Sequence, residues 1–190
     1  KPDMIALTGD IVDEDHDSIS SVEDLLKGIK DLAPIYFVTG NHELTSLAAT
    51  QYQELLALFQ KYGVTDLDND SVKLKKGGQS ITLYGRQYFS QYLTDSLPIA
   101  SDKDFDILLY HGSDNFKEIA PYHYDLILSG HAHGGIVRLP IWGGIFGNDG
   151  TFFPEYAGGE YTIGDATLIS SRGLGDASIP RFNNPPELVV

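Results

Sequence analysis

The stretch Asp125-Leu126-Ile127-Leu128-Ser129-Gly130-His131-Ala132-His133-Gly134-Gly135 joins a short apolar run to a cluster of histidines and glycines. Three other segments share this design, and each is followed by polar residues: Met4–Thr8, Ile35–Thr39 and Phe105–Tyr110. Continuous apolar runs, in contrast to alternating ones, indicate strands that are buried on both faces. We therefore expect a sheet that is covered by helices.

Segments with apolar residues at helical spacing lie between these runs. One extends from Val22 to Leu32, and a second extends over Leu47–Tyr62 and is stopped by Gly63. A third, shorter helix is expected over Asn115–Ala120. The alternation of strands and helices predicts an α/β fold.

The remaining segments predict further β structure. Val64–Lys75 and Ile81–Gly85 flank a glycine turn and predict a hairpin. Further strands are expected at Ile136–Leu139, Glu160–Ile163, Thr167–Ser171 and Leu188–Val190. We expect residues 1–190 to form a single domain.

Composition excludes several classes of function. The 190 residues are 42% hydrophobic, which is typical of a globular protein, and carry a formal net charge of -14. A surface this acidic repels nucleic-acid backbones, so no nucleic-acid partner is expected. The absence of cysteine rules out disulfides, thiolate zinc sites and a cysteine nucleophile. It does not indicate a cellular compartment, because a protein without cysteine fits either side of a bacterial membrane.

Polar side chains follow four of the predicted strands at the point where each strand ends. Ligands of open α/β sheets bind beyond the carboxyl ends of the strands. We expect the following residues to converge there: Asp10, Asn41, His42, His111, His131 and His133. Histidine, aspartate and asparagine without cysteine predict a metal site with nitrogen and oxygen ligands.

The number of candidate ligands favours two ions over one. Five are available besides His42, whereas a catalytic site for one ion usually uses three. The carboxylate of Asp10 is the natural bridge between two ions about 3.5–4 Å apart. Such a pair generates a hydroxide near neutral pH and clamps phosphoryl oxygens, so we predict hydrolysis of a phosphate ester or anhydride.

The same motifs resemble a known family. Gly9-Asp10, Gly40-Asn41-His42-Glu43, His111 and Gly130-His131-Ala132-His133, in this order, resemble the calcineurin-like metallophosphoesterases. The resemblance covers Lys1 to Leu139. The segment from Gly134 to Gly175 is similar to a bacterial, membrane-associated phosphodiesterase branch of the YkuE/YaeI type, some members of which act on UDP-diacylglucosamine.

The resemblance implies a fold, cofactors and residue roles. The fold is a two-sheet αββα sandwich with mixed sheets, and the cofactors are two divalent ions of Mn, Fe or Zn. Asp10 bridges both ions, Asn41, His111 and His131 bind the second, and His133 binds the first. His42 contacts the substrate phosphate and protonates the leaving oxygen, and Asn41 also orients the phosphate. The substrate is a small phosphoester molecule, and a phosphodiester or pyrophosphate is favoured.

The sequence departs from the family pattern in two places. The Asp-x-His motif that precedes Gly9-Asp10 in the family is absent, so we expect an upstream strand that carries it. A membrane anchor could lie in the same segment. Gly112-Ser113 also replaces the usual sequence after His111. Two alternatives stay open, namely a phosphomonoesterase and a non-catalytic domain with a degenerate first metal site.

Several other residues have two readings. Arg138 and Arg172 are candidates for binding phosphate, and structural pairing is an equally good interpretation. Packing is favoured over an apolar lip for five aromatic residues, Trp142, Phe146, Phe152, Phe153 and Tyr156. The run from Asp13 to Asp17 predicts a solvated acidic loop, and no motif surrounds His16 or His123.

Overall fold

The structure is a computed structural model that describes residues 1–13, 19–88, 93, 97–101, 104–147, 150–175 and 179–190. Most of the predicted acidic loop, including His16, lies outside the described residues. In chain order the elements are β1 Ile5–Leu7, α1 Ile19–Ile29, β2 Ile35–Phe37, α2 Asn41–Thr45, α3 Ala49–Tyr62, β3 Val64–Asp66, β4 Ser71–Lys76, β5 Gln79–Arg86, β6 Phe105–Gly112, α4 Phe116–Ile119, β7 Leu126–Gly130, β8 Val137–Leu139, β9 Gly143–Phe146, β10 Gly159–Ile163 and β11 Ala166–Ser170.

The strands form two principal sheets and a separate hairpin. The small sheet has the order β1-β2-β3, and all its strands are parallel. The large sheet has the order β10-β11-β7-β6-β5-β4, in which the four central strands are parallel and the two edge strands are antiparallel. β8 and β9 pair with each other as a two-stranded sheet, and isolated bridges join Val137 of β8 to Phe182 and Phe146 of β9 to Phe152. The four strands predicted from the apolar runs are confirmed, and they are β1, β2, β6 and β7.

The two sheets pack face to face. Tyr36 and Val38 of the small-sheet segment are buried against Leu83, Ile107 and Leu109 of the large sheet. Because side chains alternate along a strand, the residues on either side of Tyr36 point the other way, toward the helices. Tyr36 thus belongs to the layer between the sheets.

Helices cover the outer faces. Val22 and Leu26 of α1, with Leu55 and Phe59 of α3, pack on the small sheet around Phe37. On the far side of the large sheet, α4 contributes buried residues to a core with β6, β7 and β11. The layer order is helix, sheet, sheet, helix, which confirms the predicted αββα sandwich.

Two strand predictions are wrong. Val64–Lys75 is not one strand, because the chain turns at residues 67–70 and passes from β3 in the small sheet to β4 in the large sheet. Leu188–Val190 forms no strand, and all three residues are exposed. Its apolar composition suggested a strand, but no neighbouring strand pairs with it in the described part of the chain.

Candidate metal centre

The centre lies where the loops after β1, β2, β6 and β7 meet. The loops after β1 and β2 touch backbone to backbone, and a Cβ atom on Gly9 would lie 2.7 Å from Gly40 Cα. Gly9 also has a φ of 87°, which favours glycine. A Cβ atom on Gly40 would lie 2.6 Å from the nitrogen of Asp10. Glycine is therefore required at both positions for these loops to approach.

His111 is the middle of a tight group of donor atoms. Its Nε2 atom lies 2.9 Å from Asp10 Oδ2, 3.2 Å from Asn41 Oδ1 and 3.1 Å from His131 Nδ1. The ligand atoms of Asp10, His111 and His131 all lie within 4.8 Å of one another. The structure thus brings together four of the five predicted ligands.

The spacing of these atoms fits one cation. Nitrogen and oxygen ligands bind such ions at about 2.1 Å, so two ligands of one ion lie roughly 3 Å apart. His111 Nδ1 lies 2.6 Å from the carbonyl oxygen of Thr8. Since a carbonyl oxygen can only accept, Nδ1 carries the proton and donates this hydrogen bond. In neutral His111 the Nε2 lone pair then faces the other donors, which is the usual arrangement of a histidine ligand.

The electrostatics of His111 also favour a positive charge here. The ring is 1% exposed, and burial alone opposes its protonation. The carboxylate of Asp10 and the carbonyl of Thr8 outweigh burial and raise the pKa of His111. A site that draws a proton onto a buried imidazole is suited to a cation.

Three predicted ligands have left-handed backbone conformations. The φ angles are 52° for Asp10, 67° for His131 and 48° for His133. Residues other than glycine adopt such angles uncommonly, and they cluster at functional sites because the surrounding structure must hold them. These three turns therefore mark a candidate functional site.

His133 lies beside the group of donors. Its Nδ1 atom is 3.4 Å from Arg181 Nη2, and its main-chain oxygen accepts from Asn184 Nδ2 at 2.6 Å. Burial, followed by the charge of Arg181, lowers the pKa of His133 to about 4, while Asp10 acts in the opposite direction. His133 is thus within electrostatic range of the centre, and its predicted role as a ligand of the first ion stays a prediction.

His42 lies at the edge of the centre. Its main-chain N–H donates to Asp10 Oδ1 at 2.9 Å, and its Nε2 atom is 3.8 Å from Asp10 Oδ2. The Nδ1 atom is buried and has no hydrogen-bond partner among the described residues. The ring is outside the donor group and partly exposed, which leaves it able to contact a substrate.

Sequence reasoning gave no role to Glu43, although the residue belongs to a quoted motif. Its side chain is buried with 2% exposure, and it accepts from the main-chain nitrogens of Asp10 at 2.9 Å, Ile11 at 2.8 Å and Gly40 at 2.7 Å. Burial and the charge of Asp10 raise the pKa of Glu43. Glu43 therefore joins the loops after β1 and β2. Its position three residues after Gly40, the N-cap of α2, was an available signal.

Tyr88 was also missed by the sequence analysis. Its ring lies 5.2 Å from the ring of His111 and 5.3 Å from that of His131, measured between centroids. Burial, with the charges of Asp114 and Asp10, raises its pKa to about 12, so the phenol stays neutral. Tyr88 forms an aromatic wall against two predicted ligands, and no motif in its neighbourhood signalled this.

The two arginines singled out from the sequence make structural contacts. Arg138 Nη1 donates to the carbonyl of Gly134 at 2.6 Å, and Arg172 Nη2 donates to Glu187 Oε1 at 2.7 Å. Arg181 had no role in the sequence-based prediction, and its Nη2 atom lies 3.4 Å from Nδ1 of His133.

The packing interpretation of the five aromatic residues is confirmed for Tyr156, whose ring packs against Phe116 in the core beside the large sheet. The ring of Phe146 contacts that of Phe152, and Trp142, Phe152 and Phe153 are exposed. The physical reason is that the β8–β9 hairpin pairs with itself and does not join the large sheet. Its end at Ile141 and Trp142 therefore stays in solvent.

The fold and the site define an α/β protein of the αββα sandwich class that carries a candidate metal-binding group at its strand ends. Residues 1–135 match the family described as calcineurin-like phosphoesterase. The chain therefore belongs to the calcineurin-like phosphoesterases, a family of metal-dependent phosphoric ester hydrolases, as the sequence motifs predicted.

Relatives and one solved structure agree with this assignment. The chain is 30% identical to YkuE, an uncharacterized metallophosphoesterase of Bacillus subtilis, over 100% of this chain and 67% of the relative. It is 27% identical to the phosphodiesterase YaeI of Escherichia coli, over 100% of this chain and 70% of that protein. The sulfate thiohydrolase SoxB of Thermus thermophilus shares the fold, with a TM-score of 0.51 at 15% identity over 88% of this chain.

The chain is shorter than these proteins, and it spans 33% of the SoxB chain. Across the described residues, no helix combines the length and the apolar character that crossing a bilayer requires.

Proposed function

We propose that this chain hydrolyses phosphodiesters or phosphoanhydrides of small molecules with two divalent ions held at the ends of β1, β2, β6 and β7. The observation that carries the proposal is the convergence of Asp10, Asn41 and His131 on His111 Nε2 at 2.9–3.2 Å. Phosphodiesterase activity is favoured because YaeI bears that name and matches the whole chain.

The ions would be Mn, Fe or Zn, since this donor set suits each of them. Asp10, Asn41, His111 and His131 would hold one ion, and Asp10 with His133 would contribute to the other. When bound, such ions supply a nucleophile at neutral pH and stabilise charge on the phosphoryl oxygens.

The remaining roles belong to side chains. His42 would hold a proton at the edge of the centre and deliver it to the leaving oxygen. General-acid catalysis of this kind contributes about 10²–10⁴-fold in rate. Asn41 directs its amide oxygen toward His111, so its amide NH2 would donate to a phosphoryl oxygen and orient the substrate.

A lipid-linked substrate, such as one like UDP-diacylglucosamine, is part of the proposal. A cavity of about 370 Å³ is lined by Arg138 and by aromatic residues that include Trp142, Phe153 and Tyr156. Its wall includes Gly144, which packs against Gly135 of the loop that carries His131 and His133. The exposed end of the β8–β9 hairpin adds apolar surface beside this cavity.

A hydrolysis panel tests the proposal. The protein would be stripped with a chelator, reloaded with Mn²⁺ and assayed on bis(p-nitrophenyl) phosphate, p-nitrophenyl phosphate, pyrophosphate and a lipid-linked nucleoside diphosphate. We expect metal-dependent turnover of the diester that exceeds turnover of the monoester. Preference for the monoester would favour a phosphomonoesterase, and no turnover of any substrate by a metal-loaded protein would indicate a non-catalytic domain.

A further inference from the structure

Arg181 brings a guanidinium group to the metal centre. Its Nη2 atom lies 3.4 Å from His133 Nδ1, and the same nitrogen donates to the carbonyl of Gly175. The side chain is half-buried. The chain as a whole has a net charge of -14, so the positive charge of Arg181 is a property of this site and not of the overall composition.

The segment that carries Arg181 is bound to the loop that carries His133. Phe182 donates its main-chain N–H to Ile136 at 3.0 Å, and its carbonyl accepts from Arg138 at 3.0 Å. Asn184, which is 3% exposed, donates to the carbonyl of His133 at 2.6 Å. These bonds hold the backbone that directly follows Arg181 against the loop, so the place of this segment is built into the fold.

Charge in the rest of the centre is negative. Asp10 and the buried Glu43 lie on one side of the donor group, and each would repel a phosphate in the absence of a cation. Arg181 lies next to His133, with its Nη2 atom 3.4 Å from Nδ1 of that ring, and it brings a positive charge to this part of the centre. A guanidinium is planar and offers several donors, which matches the oxygens of a phosphoryl group.

Resting on the function proposed above, we propose that Arg181 binds a phosphoryl oxygen of the substrate on the His133 side of the centre. The guanidinium fixes the substrate phosphate next to the ions by donating hydrogen bonds, and it undergoes no covalent change.

Two matched pairs of variants test this subsite in the metal-loaded full chain. Arg181→Ala is compared with Arg172→Ala, and Arg181→Lys is compared with Arg172→Lys in case an alanine variant does not fold. Hydrogen bonds to charged groups imply that Arg181→Ala raises KM for bis(p-nitrophenyl) phosphate by about 10–100-fold, with kcat changed much less. Arg181→Lys should raise KM by less, and the Arg172 variants should keep a KM within about twofold of wild type.

The affinity for inorganic phosphate, measured by calorimetry, tests the subsite without requiring catalytic turnover. The Kd for phosphate should rise with Arg181→Ala by about the same factor as KM, while metal content stays at the wild-type level. Unchanged KM and phosphate Kd would overturn the subsite, and so would loss of metal, since Arg181 would then act on His133. If the wild type binds phosphate but hydrolyses nothing, the proposed function fails while phosphate binding still decides the role of Arg181.

Discussion

The buried carboxylate of Glu43 accepts the main-chain N–H of Asp10 at 2.9 Å, although the residues are 33 positions apart in the chain. The same side chain accepts from Gly40 at 2.7 Å, so one carboxylate holds two loops that carry predicted ligands. Asp10, Asn41 and His42 all depend on the relative position of these loops.

Glu43→Gln should lower both stability and metal affinity. The amide NH2 of glutamine would face main-chain N–H groups, and buried donors would lose their acceptor at a cost of about 1–3 kcal/mol. We expect a lower melting temperature by calorimetry and a lower metal content by elemental analysis. Glu54→Gln on the exposed face of α3 is the matched control and should resemble the wild type. A Glu43→Gln protein with normal stability and metal content would refute this role.

The fold was predictable because a buried strand or helix leaves a pattern of apolar residues within its own segment of the sequence. The apolar runs that end at Gly9, Gly40 and Gly130 are local signals, and each marks a strand end. By contrast, the bonding of Glu43 depends on the backbone of Asp10, and the place of Tyr88 depends on the rings of His111 and His131. Contacts between residues far apart in the chain leave no periodic trace in the sequence, which is why these positions were missed.

Tyr88→Leu should leave the side chains of His111 and His131 less firmly positioned. Its ring packs on His111 and His131, and aromatic pairs contribute about 0.5–1.5 kcal/mol beyond their buried area. We expect weaker metal binding in a competition titration with a chromogenic chelator. Tyr88→Phe keeps the ring and should bind metal like the wild type. Equal metal affinity for the leucine and phenylalanine variants would argue against a positioning role.

His42→Ala should lower kcat by about 10²–10⁴-fold while metal content stays near wild type, because the ring lies outside the donor group. The loss should be smaller for nitrophenyl esters than for alkyl esters, since a good leaving group needs less protonation. Steady-state kinetics on both ester types would measure this difference. Loss of metal, or unchanged turnover of the alkyl ester, would show that His42 is not the acid.

The Arg172–Glu187 pair predicts a pH-dependent contribution to stability. The hydrogen bond from Arg172 holds the pKa of Glu187 below its usual value of 4.5. Its contribution is therefore present above about pH 4.5 and is lost as the pH falls through the lowered pKa. Glu187→Gln should be less stable than wild type at pH 7 by about 0.5–1 kcal/mol.

Denaturant unfolding at several pH values would check this expectation. The difference between Glu187→Gln and wild type should shrink as the pH falls below 4.5 and through the lowered pKa of Glu187, because the wild-type carboxyl then becomes protonated. A difference that stays constant from pH 7 to pH 3 would mean that the ion pair does not contribute.

The central claim is that the donors around His111 hold the ions on which hydrolysis depends. The most direct measurement is a Mn²⁺ titration of chelator-treated protein, with bound metal and bis(p-nitrophenyl) phosphate turnover followed in the same samples. Wild type should gain metal and activity together. Mutating a residue that only hydrogen-bonds to a metal ligand typically weakens metal binding by roughly 10–100-fold. Because His131 is a predicted ligand itself, His131→Ala should lose more metal affinity than that and should stay inactive. His123→Asn, an exposed histidine far from any motif, should behave like wild type. Turnover that survives metal removal, or His131→Ala with normal metal binding and activity, would contradict the account.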